Sequence, residues 1–147
     1  MPLSHRQELV LAALSSRRWT EFAPVQVQKL FFLIDENIAG EIGGRQFAFE
    51  PYDYGPFDKA VYQELDRLAE IGLVQIVRDG LSASQRRYSL TAQGLEMGVN
   101  SFGRLGPRAQ DFIDRVTDWV CGLSFAQLVG SIYRAYPHMR ANSIFRG

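Results

Sequence analysis

The stretch from Gly72 to Gly94, GLVQIVRDGLSASQRRYSLTAQG, decides the fold of this chain. Leu73 to Val77 is rich in β-branched residues and predicts a strand, and Arg87 to Leu90 predicts a second strand. A polar loop from Asp79 to Gln85 lies between them. The pattern therefore predicts a β-hairpin.

Single residues at the two ends of this stretch indicate what the hairpin joins. Gly72 suits a tight turn out of a preceding helix, because glycine adopts left-handed backbone conformations without a Cβ clash. Tyr88 and Leu90 lie two residues apart, so they point to the same face of a strand and can hold the hairpin against a core. Thr91 predicts the N-terminal cap of a following helix, and Gly94 predicts a close approach inside that helix.

Helical patterns lie on both sides of the hairpin. Ser4 and Gln7 form a capping box for a first helix, and Pro24 suits the first turn of a second. The apolar face of that second helix repeats at helical spacing and consists of Val27, Leu30, Phe31, Ile34 and Ile38. The predicted helices cover about residues 4–16, 24–40, 57–71 and 92–100, then one from Pro107 and one from Ser124 to Pro137.

The segment between the second and third helices is longer than the turn of a compact helix-turn-helix. Gly40 ends the second helix. Gln46 to Glu50 alternates apolar and polar residues and predicts a short strand, and Pro51 to Pro56 predicts a turn. We therefore expect an insert over about residues 40–56, with the third helix beginning near Pro56 or Phe57.

The order of these elements predicts a mainly α fold, of α+β type. Three helices, a hairpin and a capped helix are the parts of a winged helix-turn-helix with a small β-hairpin wing, here followed by additional C-terminal helices. We expect the winged-helix domain to cover residues 1–102 and the C-terminal helical extension to cover residues 103–147. Apolar stripes on the two C-terminal helices predict packing on the first domain or a homodimer surface.

Short motifs add a resemblance to known families. Gly72-Leu73-Val74 followed by Tyr88-Ser89-Leu90-Thr91-Ala92-Gln93-Gly94 resembles the end of the third helix and the returning wing of many bacterial winged-helix domains. Residues 24–34 (PVQVQKLFFLI) and 51–57 (PYDYGPF) resemble the Panacea (SocA-like) antitoxin domain and the related YwgA-like proteins. This second resemblance covers about residues 20–95 and implies a protein-binding, antitoxin-like function.

The charge balance argues against one class of nucleic-acid-binding protein. With 16 basic and 16 acidic side chains the formal net charge is zero. A chain with no net charge is not expected to coat nucleic acid through nonspecific charge attraction. The sequence is still compatible with a local basic patch. The chain has one cysteine, no apolar run near the ~20 residues of a membrane span and no N-terminal signal-peptide pattern. These features predict a cytoplasmic protein without membrane association.

The third helix and the hairpin are the candidate DNA-binding elements. The residues expected to contact duplex DNA are Lys59, Gln63 and Arg67 in the groove, with Arg78, Arg86 and Arg87 on phosphates. The helix from Asp58 to Glu70 carries four acidic and two basic side chains, a net charge of −2, which opposes DNA binding. Arginines also keep exposed hairpins soluble, so both interpretations of the wing stay open.

The aromatic turn is the candidate protein-binding element. Tyr52, Tyr54 and Phe57 surround a Gly-Pro pair, and tyrosine-rich turns make good anchors for a partner. Burial of these rings under the insert is the favoured interpretation, because large aromatic side chains usually bury their area. DNA-binding transcriptional regulation is thus the first hypothesis, and an antitoxin-like or adaptor module that neutralises or recruits a partner protein is the alternative.

Catalytic and metal-binding patterns are weak in this sequence. Cys121 lies beside Val120 at the end of an apolar helical face, where a buried structural thiol is expected. His5 and His138 stand apart from any metal-ligand spacing. We therefore expect a non-catalytic protein with no cofactor and no metal.

Overall fold

Helices make up most of the computed structural model, which describes residues 2–78 and 85–145. The α-helices in these ranges are α1 (His5–Ser15), α2 (Pro24–Ile38), α3 (Lys59–Glu70), α4 (Ala92–Gly103), α5 (Pro107–Cys121) and α6 (Phe125–Ala135). The strands form two antiparallel pairs, β1 (Glu50–Tyr52) with β2 (Gly55–Phe57) and β3 (Val74–Arg78) with β4 (Arg86–Leu90). The mainly α character with small hairpins is confirmed. Most of the predicted loop, residues 79–84, lies outside the described ranges.

The helix ends follow the capping residues of the sequence. The side chains of Ser4 and Ser124 each accept a hydrogen bond from the backbone N–H of the glutamine three positions later. The side chain of that glutamine in turn accepts the backbone N–H of the serine. Pro24 and Pro107 occupy first turns, where a missing backbone N–H costs nothing. Local sequence therefore sets where four of these helices begin.

The core lies where α1, α2, α3 and α5 meet. α1 packs on α4 and α2 packs on α5. The innermost side chains, all fully excluded from solvent, include Leu11, Leu30, Phe31, Ile34, Leu65 and Ile113. Phe31 is buried as its helical spacing predicts, Phe22, Phe32 and Phe47 are buried as well, and Phe49 is partly buried against this core.

The β3–β4 hairpin is anchored on both of its sides. Its register runs from Val74 opposite Leu90 to Arg78 opposite Arg86. Phe22, in the connection between α1 and α2, exchanges two backbone hydrogen bonds with Tyr88, of 2.7 and 2.9 Å. The pairing of β3 with β4 confirms the predicted hairpin. The buried Tyr88 side chain fixes it to the core.

Two glycines make the junctions of this hairpin possible. Gly72 has a φ of 81°, the left-handed conformation expected of the turn after α3. A Cβ at Gly94 would overlap the backbone carbonyl oxygen of Leu73. The close approach predicted at Gly94 is therefore confirmed, and it brings α4 onto the start of β3.

The insert differs from the prediction in where its strands lie. Gln46 to Phe49 is not a strand, and the hairpin of β1 and β2 occupies the segment where the sequence predicts a turn. The reason is the buried carboxylate of Asp35, which accepts the backbone N–H groups of Gln46 and Phe47 at 3.0 and 2.9 Å. Those two amides therefore donate to a side chain instead of to a neighbouring strand.

The start of α3 also differs from the prediction by two or three residues. Asp58 caps the helix by accepting the Ala60 N–H at 2.9 Å, and its second oxygen accepts the Ala48 N–H at 2.8 Å. The Gln28 side chain exchanges two hydrogen bonds with the Asp58 backbone. Asp58 is thus a structural cap that ties the insert to α2, and α3 begins at Lys59.

Apolar residues of the C-terminal helices pack against the rest of the same chain. Ile113 and Val120 of α5 and Val129 of α6 are fully buried. Most positions of the stripes from which the sequence predicts a homodimer are therefore covered within one chain, whereas Trp119 of the α5 stripe is 42% exposed. None of the helices in the described ranges combines the length and apolar content needed to cross a bilayer.

Candidate functional site

A cavity lies between α2, the β1–β2 hairpin, α3 and the start of α6. Its volume is about 370 Å³. The side chains that define its chemistry are Lys29, Tyr52, Tyr54, Phe57, Tyr62 and Phe125. The insert that separates this chain from a compact helix-turn-helix supplies one wall, so the longer connection between α2 and α3 creates the site.

Lys29 is the buried charged group of this cavity. Only 3% of the residue is exposed, and Nζ donates to the backbone oxygen of Pro56 at 3.2 Å. Burial lowers the pKa of Lys29 from 10.5 to about 7, because the ammonium loses its hydration. A lysine that changes its charge near neutral pH can bind an anion, or act as a proton acceptor or nucleophile.

Aromatic rings form the walls of the cavity. Tyr52 stacks on Phe57 with ring centroids 4.8 Å apart, and the edge of Tyr62 meets Phe57 at 5.7 Å. Tyr54 meets Phe125 edge to face at 5.1 Å. Burial and the neighbouring Tyr88 raise the pKa of Tyr62 well above its usual range, so its hydroxyl stays neutral.

The sequence analysis predicted the aromatic residues that line this cavity but did not predict its buried lysine. The three predicted partner-binding residues, Tyr52, Tyr54 and Phe57, lie together around it. Their expected burial is wrong for the two tyrosines, which are 53% and 40% exposed, because a two-strand hairpin has too little surface to cover them. Lys29 had a usable signal, since it is the only charge among the predicted apolar positions from Val27 to Ile34.

The predicted groove-contacting residues lie on the solvent side of α3. Lys59, Gln63 and Arg67 recur every four residues and all are exposed. Arg67 donates to the buried carboxylate of Glu64 at 3.0 Å, and Arg6 donates to the same carboxylate at 2.6 Å. Burial alone would raise the pKa of Glu64, but these two hydrogen bonds outweigh it and lower that pKa. Arg67 is therefore partly committed to an internal ion pair.

The predicted phosphate-contacting residues lie together at the far end of the hairpin. Arg78 of β3 is directly opposite Arg86 of β4, and Arg87 is the next residue along β4. Like charges in this arrangement destabilise a hairpin. Neither Arg78 nor Arg86 forms an ion pair with an acidic side chain in the described part of the chain. The pair concentrates positive charge on a neutral protein.

Cys121 and His5 have structural roles. Cys121 is half-buried, and burial raises the pKa of its thiol, which keeps it protonated and weakly reactive. The His5 ring forms a hydrogen bond with the backbone oxygen of Ile42 at 2.6 Å, which ties α1 to the end of the α2 segment.

Comparison of the sequence with protein-family models gave no match, and comparison with curated proteins gave none either.

Proposed function

We propose that this protein is a non-catalytic regulatory protein of the winged-helix type that binds duplex DNA. In this proposal α3 faces the groove and the β3–β4 hairpin contacts the phosphate backbone. Residues Lys59, Gln63 and Arg67 contribute from α3, and Arg78, Arg86 and Arg87 contribute from the hairpin.

The position of the hairpin supports a winged-helix arrangement. β3 begins four residues after α3 ends, and the returning strand β4 leads through the cap Thr91 into α4. The bridge from Tyr88 to Phe22 holds the base of the hairpin against the connection between α1 and α2. The bridge and the buried Tyr88 side chain fix the hairpin to the core on which α3 also packs, which suits docking of both elements on one duplex.

The arginine pair is the observation that carries the proposal. Arg78 and Arg86 are cross-strand neighbours, so each destabilises the other in the free protein. A phosphate backbone relieves this repulsion, because each guanidinium pairs with a phosphate in a bidentate geometry. A single arginine would be enough to keep the end of the hairpin soluble. Two repelling arginines are therefore more simply explained by an anionic partner.

Salt-dependent DNA binding tests this proposal. A short fluorescently labelled duplex of random sequence is titrated with the protein at several salt concentrations, and anisotropy reports the affinity. We expect binding at low salt that weakens steeply as salt rises, because phosphate contacts release counterions. The double variant Arg78→Ala/Arg86→Ala should weaken binding and reduce the salt slope by about 2, since each phosphate contact contributes about 0.9.

A matched control removes the same number of arginines from another element. Arg108→Ala/Arg115→Ala acts on α5, where both side chains are exposed and pair with acidic residues. This control should keep the salt slope of the unmodified protein. No binding at low salt, or an equal effect of both double variants, contradicts the proposal.

Exposure of the aromatic hairpin favours a second candidate function. Tyr52, Tyr54 and Phe125 are each at least 40% exposed and cluster around the same cavity, where Tyr54 contacts Phe125 edge to face. Such a cluster suits the antitoxin-like or adaptor function, in which rigid aromatic side chains anchor a partner protein. A folded protein that fails to bind duplex DNA at low salt would favour this candidate over the first.

A further inference from the structure

Lys29 is a buried cation without an acidic partner in its surroundings. Nζ contacts one carbonyl oxygen, that of Pro56, whereas an ammonium has three N–H donors. Among the described residues that line the cavity, none carries a carboxylate. A buried positive charge is normally paired, because an unpaired one costs several kcal/mol. An anion bound in the cavity that Lys29 lines would balance this charge.

The remaining ionisable groups around the cavity also favour an anion. Arg87 of β4 is the second cation among the lining residues. The other titratable side chains that face the cavity are the tyrosines of β1, the following turn and α3, namely Tyr52, Tyr54 and Tyr62. A neutral tyrosine hydroxyl is a hydrogen-bond donor and adds no negative charge to the cavity. Lys29 is therefore the buried positive charge that this cavity offers to an anion.

The shape and walls of the cavity define the rest of the ligand. A volume of about 370 Å³ lies at the lower end of the roughly 300–1,000 Å³ typical of small-molecule sites. Phe57, Phe125 and Leu128 add apolar surface to the tyrosine rings. Aromatic walls favour a flat, apolar body, because rings interact best by offset stacking or edge-to-face contact.

We propose that this cavity binds a small aromatic monocarboxylate, with its carboxylate on Lys29 Nζ and its ring among the tyrosine and phenylalanine side chains. Lys29 is the only buried cation among the described residues that line the cavity, because Arg87 is partly exposed, so a single negative charge balances the buried end of the site. This proposal does not depend on DNA binding, since the arginine pair at the hairpin end is not among the residues that line the cavity.

Two probes of equal shape test the proposal. 2-Naphthoate carries the carboxylate, and 2-naphthamide has the same rings without the charge. Calorimetry at pH 6.5 should show that naphthoate binds at least about tenfold more tightly than naphthamide, because a charge-assisted hydrogen bond is lost with the amide. Chemical-shift changes should centre on Tyr52, Tyr54 and Tyr62.

Substitution of Lys29 separates this contact from general hydrophobic binding. Lys29→Met keeps the length of the side chain and removes the charge, so the variant should fold and should lose naphthoate affinity by about tenfold or more. Its affinity for naphthamide should stay the same. Lys59→Met removes an exposed lysine from α3 and should leave both affinities unchanged.

The pH dependence provides a readout specific to a buried lysine. The amine must be protonated to hold the carboxylate, so naphthoate affinity should fall as pH rises from 6 to 8, through the lysine pKa of about 7. Calorimetry at pH 8 in buffers of different ionisation enthalpy should show proton uptake on binding. Equal affinities for the two probes, full naphthoate affinity in Lys29→Met, or no binding at millimolar naphthoate overturns the proposal.

Discussion

Burying the Lys29 ammonium costs folding free energy, because the charge leaves water and gains one carbonyl oxygen in return. In the unfolded chain this amine keeps its proton up to about pH 10.5, whereas in the folded protein burial lowers the pKa to about 7. The full cost therefore applies below pH 7. Above pH 7 the folded protein releases the proton while the unfolded chain retains it, so the stability contributed by this group rises with pH.

Lys29→Met should therefore raise the free energy of unfolding by an amount that depends on pH. At pH 6 the expected gain is on the order of a few kcal/mol, since each pKa unit corresponds to about 1.4 kcal/mol. The gain should shrink between pH 7 and pH 10. Urea unfolding of both proteins across this range measures the difference, with Lys59→Met as the exposed control. A gain that is absent at pH 6, or constant with pH, would show that the ammonium is not buried at a cost.

Individual residues were predictable from sequence where their role is local. The caps Ser4, Thr91 and Ser124 bind backbone groups within three residues, so spacing alone identifies them. Lys29 stands out in the sequence as a lone charge among apolar residues, but its burial was not predictable, because it depends on the Tyr52–Phe57 hairpin that folds over it. The expected burial of Tyr52 and Tyr54 is wrong for the same reason, since burial depends on what a distant segment covers.

At the scale of elements, the approach of α4 to its neighbours depends on two glycines on one face of the helix. A Cβ at Gly94 would overlap the Leu73 carbonyl oxygen, and one at Gly98 would lie 2.5 Å from the Leu11 oxygen. Both obstacles are backbone atoms, which cannot rotate away. α4 is therefore held against β3 and α1 at a distance that only glycine permits.

Alanine at either position should destabilise the protein. We expect Gly94→Ala and Gly98→Ala each to lower the free energy of unfolding by about 1–3 kcal/mol or more, because overpacking displaces a whole element. Gly103→Ala lies in the same helix with open space around it, and should leave stability unchanged or slightly raised. Thermal and urea unfolding compare the three variants. Equal stability of all three would mean that α4 does not pack as closely as described.

Elements that depend on local periodicity were predicted well, and those that depend on a distant partner were not. The helices and the β3–β4 hairpin appear within a few residues of their expected bounds. The strand expected at Gln46 to Glu50 is wrong, because Asp35 of α2 binds the amides that a strand partner would need. Alternation of side chains does not reveal where backbone hydrogen bonds go.

At the scale of the whole molecule, α5 is part of the same core as the first three helices. Ala109 and Ile113 are fully buried, and α5 packs on α2 and α1. The division into a domain of residues 1–102 and an extension of residues 103–147 stays a prediction, as does the homodimer. A dimer through these helices would need exposed residues such as Trp119, which is 42% exposed, since most positions of the apolar stripes are already covered.

Substitutions on the two faces of α5 distinguish these arrangements. Ile113→Ala should lower the free energy of unfolding by about 2–5 kcal/mol, the usual cost of a cavity in a core. Trp119→Ala should cost much less. Urea unfolding should give the same midpoint for Ile113→Ala at low and high protein concentration, because the contact lies within one chain. A midpoint that depends strongly on concentration would place this face of α5 between two chains.

Mapping the surface that contacts DNA tests the central claim most directly. Amide chemical shifts are followed while a short duplex is added at low salt to isotope-labelled protein. DNA binding through α3 and the hairpin should give the largest changes at Lys59, Gln63 and Arg67 on α3 and at Arg78, Arg86 and Arg87 on the hairpin, with small changes on α5. Changes confined to Tyr52, Tyr54 and Phe125, or no changes at all, would contradict it.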